Sequence, residues 1–272
     1  GLTSAELAVV DRELVRQCDG ADGLSDGIIA NVAACRDFNA AALQCQPGET
    51  EGCIAPDRAE AVRQAMAPLR TSNGMSVYSP YPWDTGITFS GPGLPGYLPV
   101  GQGGPLGPPS TAREMDVDQR IEDVRWDAAG RLTDTAHWTN LSTYLGRGSK
   151  LMFFHGVSDP WFSAFDTWDY YQRAQEANGA QAWDDAARFY MVPGMGHCAG
   201  GNAFDNFDLL GPMVGWVENG AAPGAVTARR SSAATPADAG ATTEMPLCPH
   251  PSYAHYTGGD ANRATSFECR MP

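Results

Sequence analysis

Two periods alternate along this chain. From Thr3 to Gln17 the apolar residues Leu7, Val10, Leu14 and Val15 recur at three- and four-residue steps, which predicts an amphipathic helix. Thr3 or Ser4 can cap it, and Glu6 follows Thr3 at the capping-box distance. Pro56 to Leu69 predicts a second helix, with Val62, Ala65, Met66 and Leu69 on one face. From Tyr78 to Ser110 the chain is rich in Gly, Pro and aromatic residues with no repeating period, so long ordered loops are expected. A short charged stretch, Arg113 to Trp126, precedes a further helix near Thr135 to Leu145. Beyond that the pattern tightens. Lys150 to His155 (KLMFFH) and Ala187 to Val192 (ARFYMV) read as apolar strands. Phe165 to Asn178 and Phe204 to Glu218 read as helices, the second presenting Phe207, Leu210, Val214 and Val217 in phase. Strand, helix, strand, helix with short connections predicts an α/β class and a parallel sheet covered by helices. The change of character near Arg147 divides the chain into a lid or insertion, 1–147, and the end of an α/β core, 148–272.

Composition narrows the function. The chain has 272 residues and a formal net charge of -14, which argues against nucleic acid as a partner. No run of eighteen apolar residues occurs, so no membrane-spanning helix is expected. The start at Gly1 reads as a processed or truncated end. Of seven cysteines, six can pair in chain order as Cys18–Cys35, Cys45–Cys53 and Cys248–Cys269, the alternative being buried free thiols. Each pair closes a short loop and implies an oxidising compartment, secreted or periplasmic. Cys198 is left over, which suggests a partner outside this chain.

In parallel sheets, functional groups stand on loops beyond the carboxyl ends of strands. Asp159 follows the first strand and His197 follows the second, the acid–base half of a Ser-His-Asp triad in α/β-hydrolase chain order. His155 competes for the base role, but its place at a strand end suits a loop anchor. A G-x-S-x-G pattern occurs at Gly23-Leu-Ser25-Asp-Gly27. No apolar strand precedes it and three acids crowd it, so it is rejected as a nucleophile elbow. The nucleophile is therefore expected outside this chain. The same loop suits a cation better. Asp19, Asp22 and Asp26 alternate with Gly20, Gly23 and Gly27, and such carboxylates repel unless a cation joins them. Calcium takes carboxylate and carbonyl oxygens, and the Leu24 and Ile28 carbonyls can turn inward. The loop is not an EF-hand, because Ala30 stands where a bidentate Glu is needed. Trp161 and Phe162 can wall an aromatic acyl group or simply pack. Trp83, Trp126 and Trp138 read as packing, His250 and His255 as loop residues, and Arg229-Arg230 as solvent-facing.

The stretches CDGADGLSDGII (18–29), KLMFFHGVSDPWFSAFDTWDYYQR (150–173), RFYMVPGMGHCAGG (188–201) and PLCPHP (246–251) together resemble the tannase and feruloyl esterase family. The resemblance implies the C-terminal part of an α/β-hydrolase fold with a large, loop-rich lid. It implies Asp159 and His197 as triad acid and base, and structural calcium on Asp19, Asp22, Asp26 and the Leu24 and Ile28 carbonyls. Cys198 would bond a cysteine directly before the Ser, on an N-terminal segment or second chain. The expected substrate is a small aromatic ester of feruloyl, galloyl or terephthaloyl type, with no organic cofactor. The lid departs from the family pattern, which leaves the acid and the alcohol open. The rival reading is a calcium-dependent, non-catalytic secreted binding module.

Overall fold

The computed structural model describes residues 2–88, 116–197, 199–231 and 243–272. Most of the Gly/Pro-rich segment, from residue 89 on, and Cys198 lie outside them. Helix α1 (Ser4–Cys18) opens on the expected capping box: Thr3 accepts from the Glu6 amide while the Glu6 side chain accepts from the Thr3 amide. Helix α2 (Pro56–Met66) begins on Pro56 and stops before Pro68, shorter than the apolar pattern implied, because a residue preceding proline is pushed out of helical geometry. Val10, Leu14, Val62 and Met66 meet Leu43 and Ile54 in one core. Cys18–Cys35 and Cys45–Cys53 close the loops between these helices, as the pairing in chain order predicted.

A short antiparallel pair, β1 (Leu69–Arg70) and β2 (Ser76–Tyr78), follows. Helices α3 (Val117–Trp126) and α4 (Ala128–Thr133) are capped by Asp116 and Asp127 and bury no residue. Val117, Ile121 and Val124 recur at helical spacing along α3 and are half-buried, a period the charged residues around them obscured. The helix expected over 135–145 shrinks to the single turn α5 (Ser142–Leu145). Upstream, Asp134 and Asn140 accept from the Ala136 and Ser142 amides and hold turns instead. Trp126 and Trp138, expected to pack, are 82% and 54% exposed.

Strands β3 (Leu151–Gly156) and β4 (Ala187–Val192) pair in parallel, in register from Leu151 opposite Ala187 to Gly156 opposite Val192. Helices α6 (Ala164–Asn178) and α7 (Ala180–Asp184) connect them. Phe165, Trp168, Tyr171, Trp183 and Phe189 form the core between helices and strands. The far side of β4 meets Pro249, while β3 has no strand on its other side among the described residues. Helix α8 (Leu210–Asn219) starts later than expected because Asp208 accepts from the Leu210 and Gly211 amides. Before it, Asn206 pairs with Arg229 as extended chain. Its in-phase stripe is not buried here: Leu210, Val214 and Val217 are 74%, 43% and 62% exposed.

The chain ends in two antiparallel pairs, β5 (Val226–Arg229) with β6 (Glu244–Leu247), and β7 (Tyr253–Tyr256) with β8 (Phe267–Arg270). Cys248–Cys269 joins them. Ile28 and Ala30 from the acidic loop share a core with Val192, Met195, Ala228 and Leu247. Of the basic pair, only Arg229 faces solvent; Arg230 lies over the Phe204 ring and donates to Asn202.

His255, read as a loop residue, lies in β7, while His250 stands in a turn as read, with its ring packed inward. Its ring meets Trp168 at 4.3 Å, Phe189 at 5.5 Å and Tyr171 at 6.0 Å. Burial, then the nearby Arg36 cation, hold its pKa down to about 4. The unfolded ring takes a proton near pH 6.5, so this lowered group contributes stability at neutral pH that is lost as pH falls through 6.5 toward 4. Between pH 7.5 and 5 that loss is about 2 kcal/mol. His250→Phe should remove this component, and denaturant midpoints of both proteins at the two pH values check it. An unchanged pH dependence would refute the assignment.

Candidate active site

The ends of β3 and β4 deliver the two candidate side chains to one place. The backbone fits them closely. Val157 N donates to Val192 O (3.0 Å) and Ser158 N to Met195 O (3.0 Å), so the two loops leave the sheet bonded to each other. Gly156 is required at the crossing, since a Cβ there would lie 2.3 Å from Gly196 O.

Asp159 is 5% exposed. Its Oδ1 accepts from the Trp161 amide (2.8 Å) and the Phe162 amide (3.0 Å). Its Oδ2 lies 2.7 Å from His197 Nδ1. Burial pushes this carboxyl up, but bonds from His155, His197 and the two amides outweigh it and hold its pKa below the usual value. The His197 side chain is 34% exposed, and its Nε2 has no hydrogen-bond partner among the described residues.

His155 occupies a different position. Its Nδ1 meets Thr167 Oγ1 (2.7 Å), and its Nε2 meets Phe162 O (3.1 Å) and stands 3.4 Å from Asp159 Oδ2. Both ring nitrogens are engaged, so this histidine braces the acid loop. Trp161 and Phe162 flank the His197 ring at centroid distances of 4.7 and 5.6 Å. A groove of about 330 Å³ opens beside them, lined among others by Tyr78, Phe154, Phe162, Met195 and His197.

The pattern along the sequence gave no sign of the segment 78–88, which lies along the acid loop. Tyr78 accepts from the Ser163 amide (2.8 Å), Tyr81 donates to Trp161 O (3.0 Å), and buried Asp84 meets both strand-end loops. An acid among aromatic residues, as in Tyr-Pro-Trp-Asp84-Thr-Gly-Ile, was the available signal.

The acidic loop forms a short turn, Asp19–Asp22, followed by left-handed Gly23. Asp19 accepts from the Gly27 amide, Asp22 from Leu24 and Ala30, and Asp26 from Ile28. Asp26 Oδ2 is buried with no hydrogen-bond partner among the described residues, and the Arg230 cation acts on this carboxylate through space. Burial pushes Asp19 up to about 6 and Asp22 up to about 7, with the Asp26 charge adding to both. Ser25 sits inside this turn, away from any strand-to-helix elbow. An all-oxygen donor set with an orphaned carboxylate oxygen fits a hard cation. The cage is not preformed, since among the described residues no three His, Cys, Asp or Glu side chains converge as a metal site. The orphaned oxygen carries more weight, because backbone amides hold the other carboxylate oxygens in their present rotamers.

A family model described as tannase and feruloyl esterase matches residues 2–93 and 111–270. Mono(2-hydroxyethyl) terephthalate hydrolase of Piscinibacter sakaiensis is 33% identical over 99% of this chain and 52% of its own length. Probable feruloyl esterase B of Emericella nidulans is 31% identical over 96% of this chain and 53% of its own. A crystal structure of an esterase from Aspergillus oryzae superposes with a TM-score of 0.76 at 25% identity, covering 99% of this chain and 57% of that one. Feruloyl esterase B from Aspergillus oryzae, at 22% identity, shares the fold with a TM-score of 0.74 over 98% of this chain and 57% of that one. The fold agrees with an α/β-hydrolase-like architecture, and the chain spans about half the length of the curated relatives it matches. A family model covering nearly all the sequence, and a relative 33% identical across it, establish that this chain belongs to the tannase and feruloyl esterase family.

Proposed function

We propose that this chain carries the acid and base of a serine carboxylesterase that cleaves esters of aromatic acids, and that the nucleophilic Ser comes from polypeptide outside it. The observation that carries this reading is the 2.7 Å contact between Asp159 Oδ2 and His197 Nδ1, with Nε2 left open beside a groove. The carboxylate keeps the ring proton on Nδ1, so Nε2 can take the proton from a Ser hydroxyl as it attacks the ester carbonyl. His197 then gives that proton to the leaving alcohol. Water, activated by the same nitrogen, releases the acid from the acyl-enzyme.

Two features support a second polypeptide. The far side of β3 presents Phe154, 47% exposed, and α8 presents its apolar stripe; a covering strand and helix suit such a face. Cys198, next to the base, is the one cysteine outside the three pairs. In this reading it bonds a cysteine beside the Ser and fixes the distance between nucleophile and base. Residues 1–147 then form a lid and 148–272 the end of the hydrolase core. The three disulfides fit a secreted or periplasmic site of action. Calcium would be held by Asp19, Asp22 and Asp26 with the Leu24 and Ile28 carbonyls; its contribution is structural, joining carboxylates that otherwise repel.

The aromatic preference rests on Tyr78 and Phe162, which line the groove, and on Trp161, which lies against the His197 ring. A panel of feruloyl, galloyl, terephthaloyl and alkyl esters, given to the assembled enzyme, should show higher kcat/KM for the aromatic acids. Trp161→Ala and Phe162→Ala should each narrow that preference about 2- to 10-fold, the range of one aromatic contact. Preference for alkyl esters in the unsubstituted enzyme would defeat the assignment.

A further inference from the structure

We propose that Asp84 is a positioning residue for this reaction, a single buried carboxylate that holds the loop of the acid and the loop of the base in mutual register. The proposal rests on reading Asp159 and His197 as the acid–base pair. Asp84 is 0% exposed. Its Oδ2 accepts from Ser158 Oγ (2.8 Å) and from Gly194 N (2.7 Å), while its Oδ1 accepts from Thr85 N (3.0 Å). Ser158 directly precedes Asp159, and Gly194 stands three residues before His197. One oxygen atom therefore joins the two loops that carry the pair, from a segment belonging to neither strand.

The close fit shows that this contact is built into the fold. A Cβ on Gly86 would lie 2.2 Å from Gly194 O and 2.5 Å from Ser158 Oγ, so only glycine lets the turn after Asp84 press against both loops. The same turn is anchored on its other side, where Thr85 Oγ1 donates to Gly27 O (2.6 Å). Backbone bonds between the loops fix their spacing near the sheet. Asp84 adds a side-chain bridge between the same loops, at Ser158 Oγ and Gly194 N, close in the chain to the pair whose 2.7 Å contact the chemistry needs. Its hydrogen-bond partners among the described residues are Thr85, Ser158 and Gly194 and include neither the acid nor the base, so it acts through the loops.

The site requires a carboxylate, an acceptor on both oxygens. An amide cannot replace it. With its carbonyl toward Ser158 and Gly194, its NH2 group faces the Thr85 N–H. Turned the other way, it faces the Gly194 N–H, which cannot rotate. Asp84→Asn thus keeps the volume and breaks the array in either orientation.

The test uses the assembled enzyme and four variants: Asp84→Asn, Ser158→Ala, their combination, and His197→Ala. A serine-directed phosphonate counts competent sites, so that kcat refers to folded, assembled molecules alone. Asp84→Asn should lower kcat about 10- to 100-fold, the scale of a misplacement near one ångström, with KM within about 2-fold. Ser158→Ala, which leaves Asp84 in place with one donor fewer, should show a smaller fall of the same kind. The double variant should be no worse than Asp84→Asn, since the bond is already lost. The downfield proton resonance of the His197–Asp159 hydrogen bond should shift or broaden in the same order, and it reads loop geometry without turnover. Unchanged kcat per competent site and an unchanged resonance in both single variants would overturn the proposal. Failure of the esterase reading shows elsewhere, as an inactive parent enzyme or as turnover surviving in His197→Ala.

Discussion

Replacing His197 with alanine in the assembled enzyme should lower kcat on an aromatic ester by about 10⁴- to 10⁶-fold while KM changes little, as expected for a group that acts in the transition state. Asp159→Asn should cost about 10⁴-fold, and the geometry says why. The amides of Trp161 and Phe162 both donate to Oδ1, so an asparagine places its carbonyl oxygen there. Its NH2 group then occupies the Oδ2 position, 2.7 Å from His197 Nδ1. A donor at that point forces the ring proton off Nδ1 and onto Nε2, the atom that must accept from the Ser hydroxyl. The variant is folded, correctly shaped and in the wrong tautomer. Steady-state kinetics with burst titration of the acyl-enzyme measure both effects. Retention of kcat within about 10-fold in either variant would remove that residue from the mechanism.

The parts of this protein legible in its sequence are those whose pattern reports local physics. The strands Leu151–Gly156 and Ala187–Val192 stand where their apolar runs put them, because strands packed against α6 and α7 are mostly apolar on the covered face. Asp159 and His197 could be selected as a pair because loop residues at the ends of adjacent parallel strands have few places to go. The three disulfides followed from loop lengths. What the sequence concealed depends on distant contacts. Leu210, Val214 and Val217 have helical phase, yet phase says only that a face is apolar, not what lies against it. Asp84 is one more acid in a list of side chains until Ser158 and Gly194 arrive from other elements, 74 and 110 residues away along the chain. The stack of His250 on Trp168 is of the same kind: two residues 82 apart in number meet only because the segment after β6 returns to α6.

Removing divalent cation should lower the melting temperature by about 5–10 °C while changing kcat, measured well below melting, less than about 2-fold. The size follows from linkage. A ligand present at about 100 times its Kd stabilises the native state by about 2.7 kcal/mol, and a chain of this size shifts by about 2–4 °C per kcal/mol. The location follows from the acidic loop. Among the described residues Asp26 Oδ2 is buried without a hydrogen-bond partner, and burial raises Asp22 to about 7 and Asp19 to about 6, so without a cation the charged loop is costly to fold. The sign with pH is fixed by those raised values. Groups whose folded pKa exceeds the unfolded value near 3.9 stabilise the cation-free protein at low pH, and that stability is lost as pH rises from about 4 to about 7. The benefit of calcium should therefore be larger at pH 7.5 than at pH 5. Asp26→Asn offers the sharper test, since it keeps an acceptor for the Ile28 amide and removes a charged oxygen with no hydrogen-bond partner among the described residues. That variant should melt near the chelated parent and respond little to calcium. A full calcium response in Asp26→Asn, or no shift on chelation of the parent at pH 7.5, would leave these carboxylates without the cation assigned to them. The small expected effect on kcat has its own reason: the loop meets the catalytic loops through the Gly27 carbonyl, which accepts from Thr85 and Asn202, and through Ile28 in the core that holds Met195, while the hydrogen bond between Asp159 and His197 involves no atom of it.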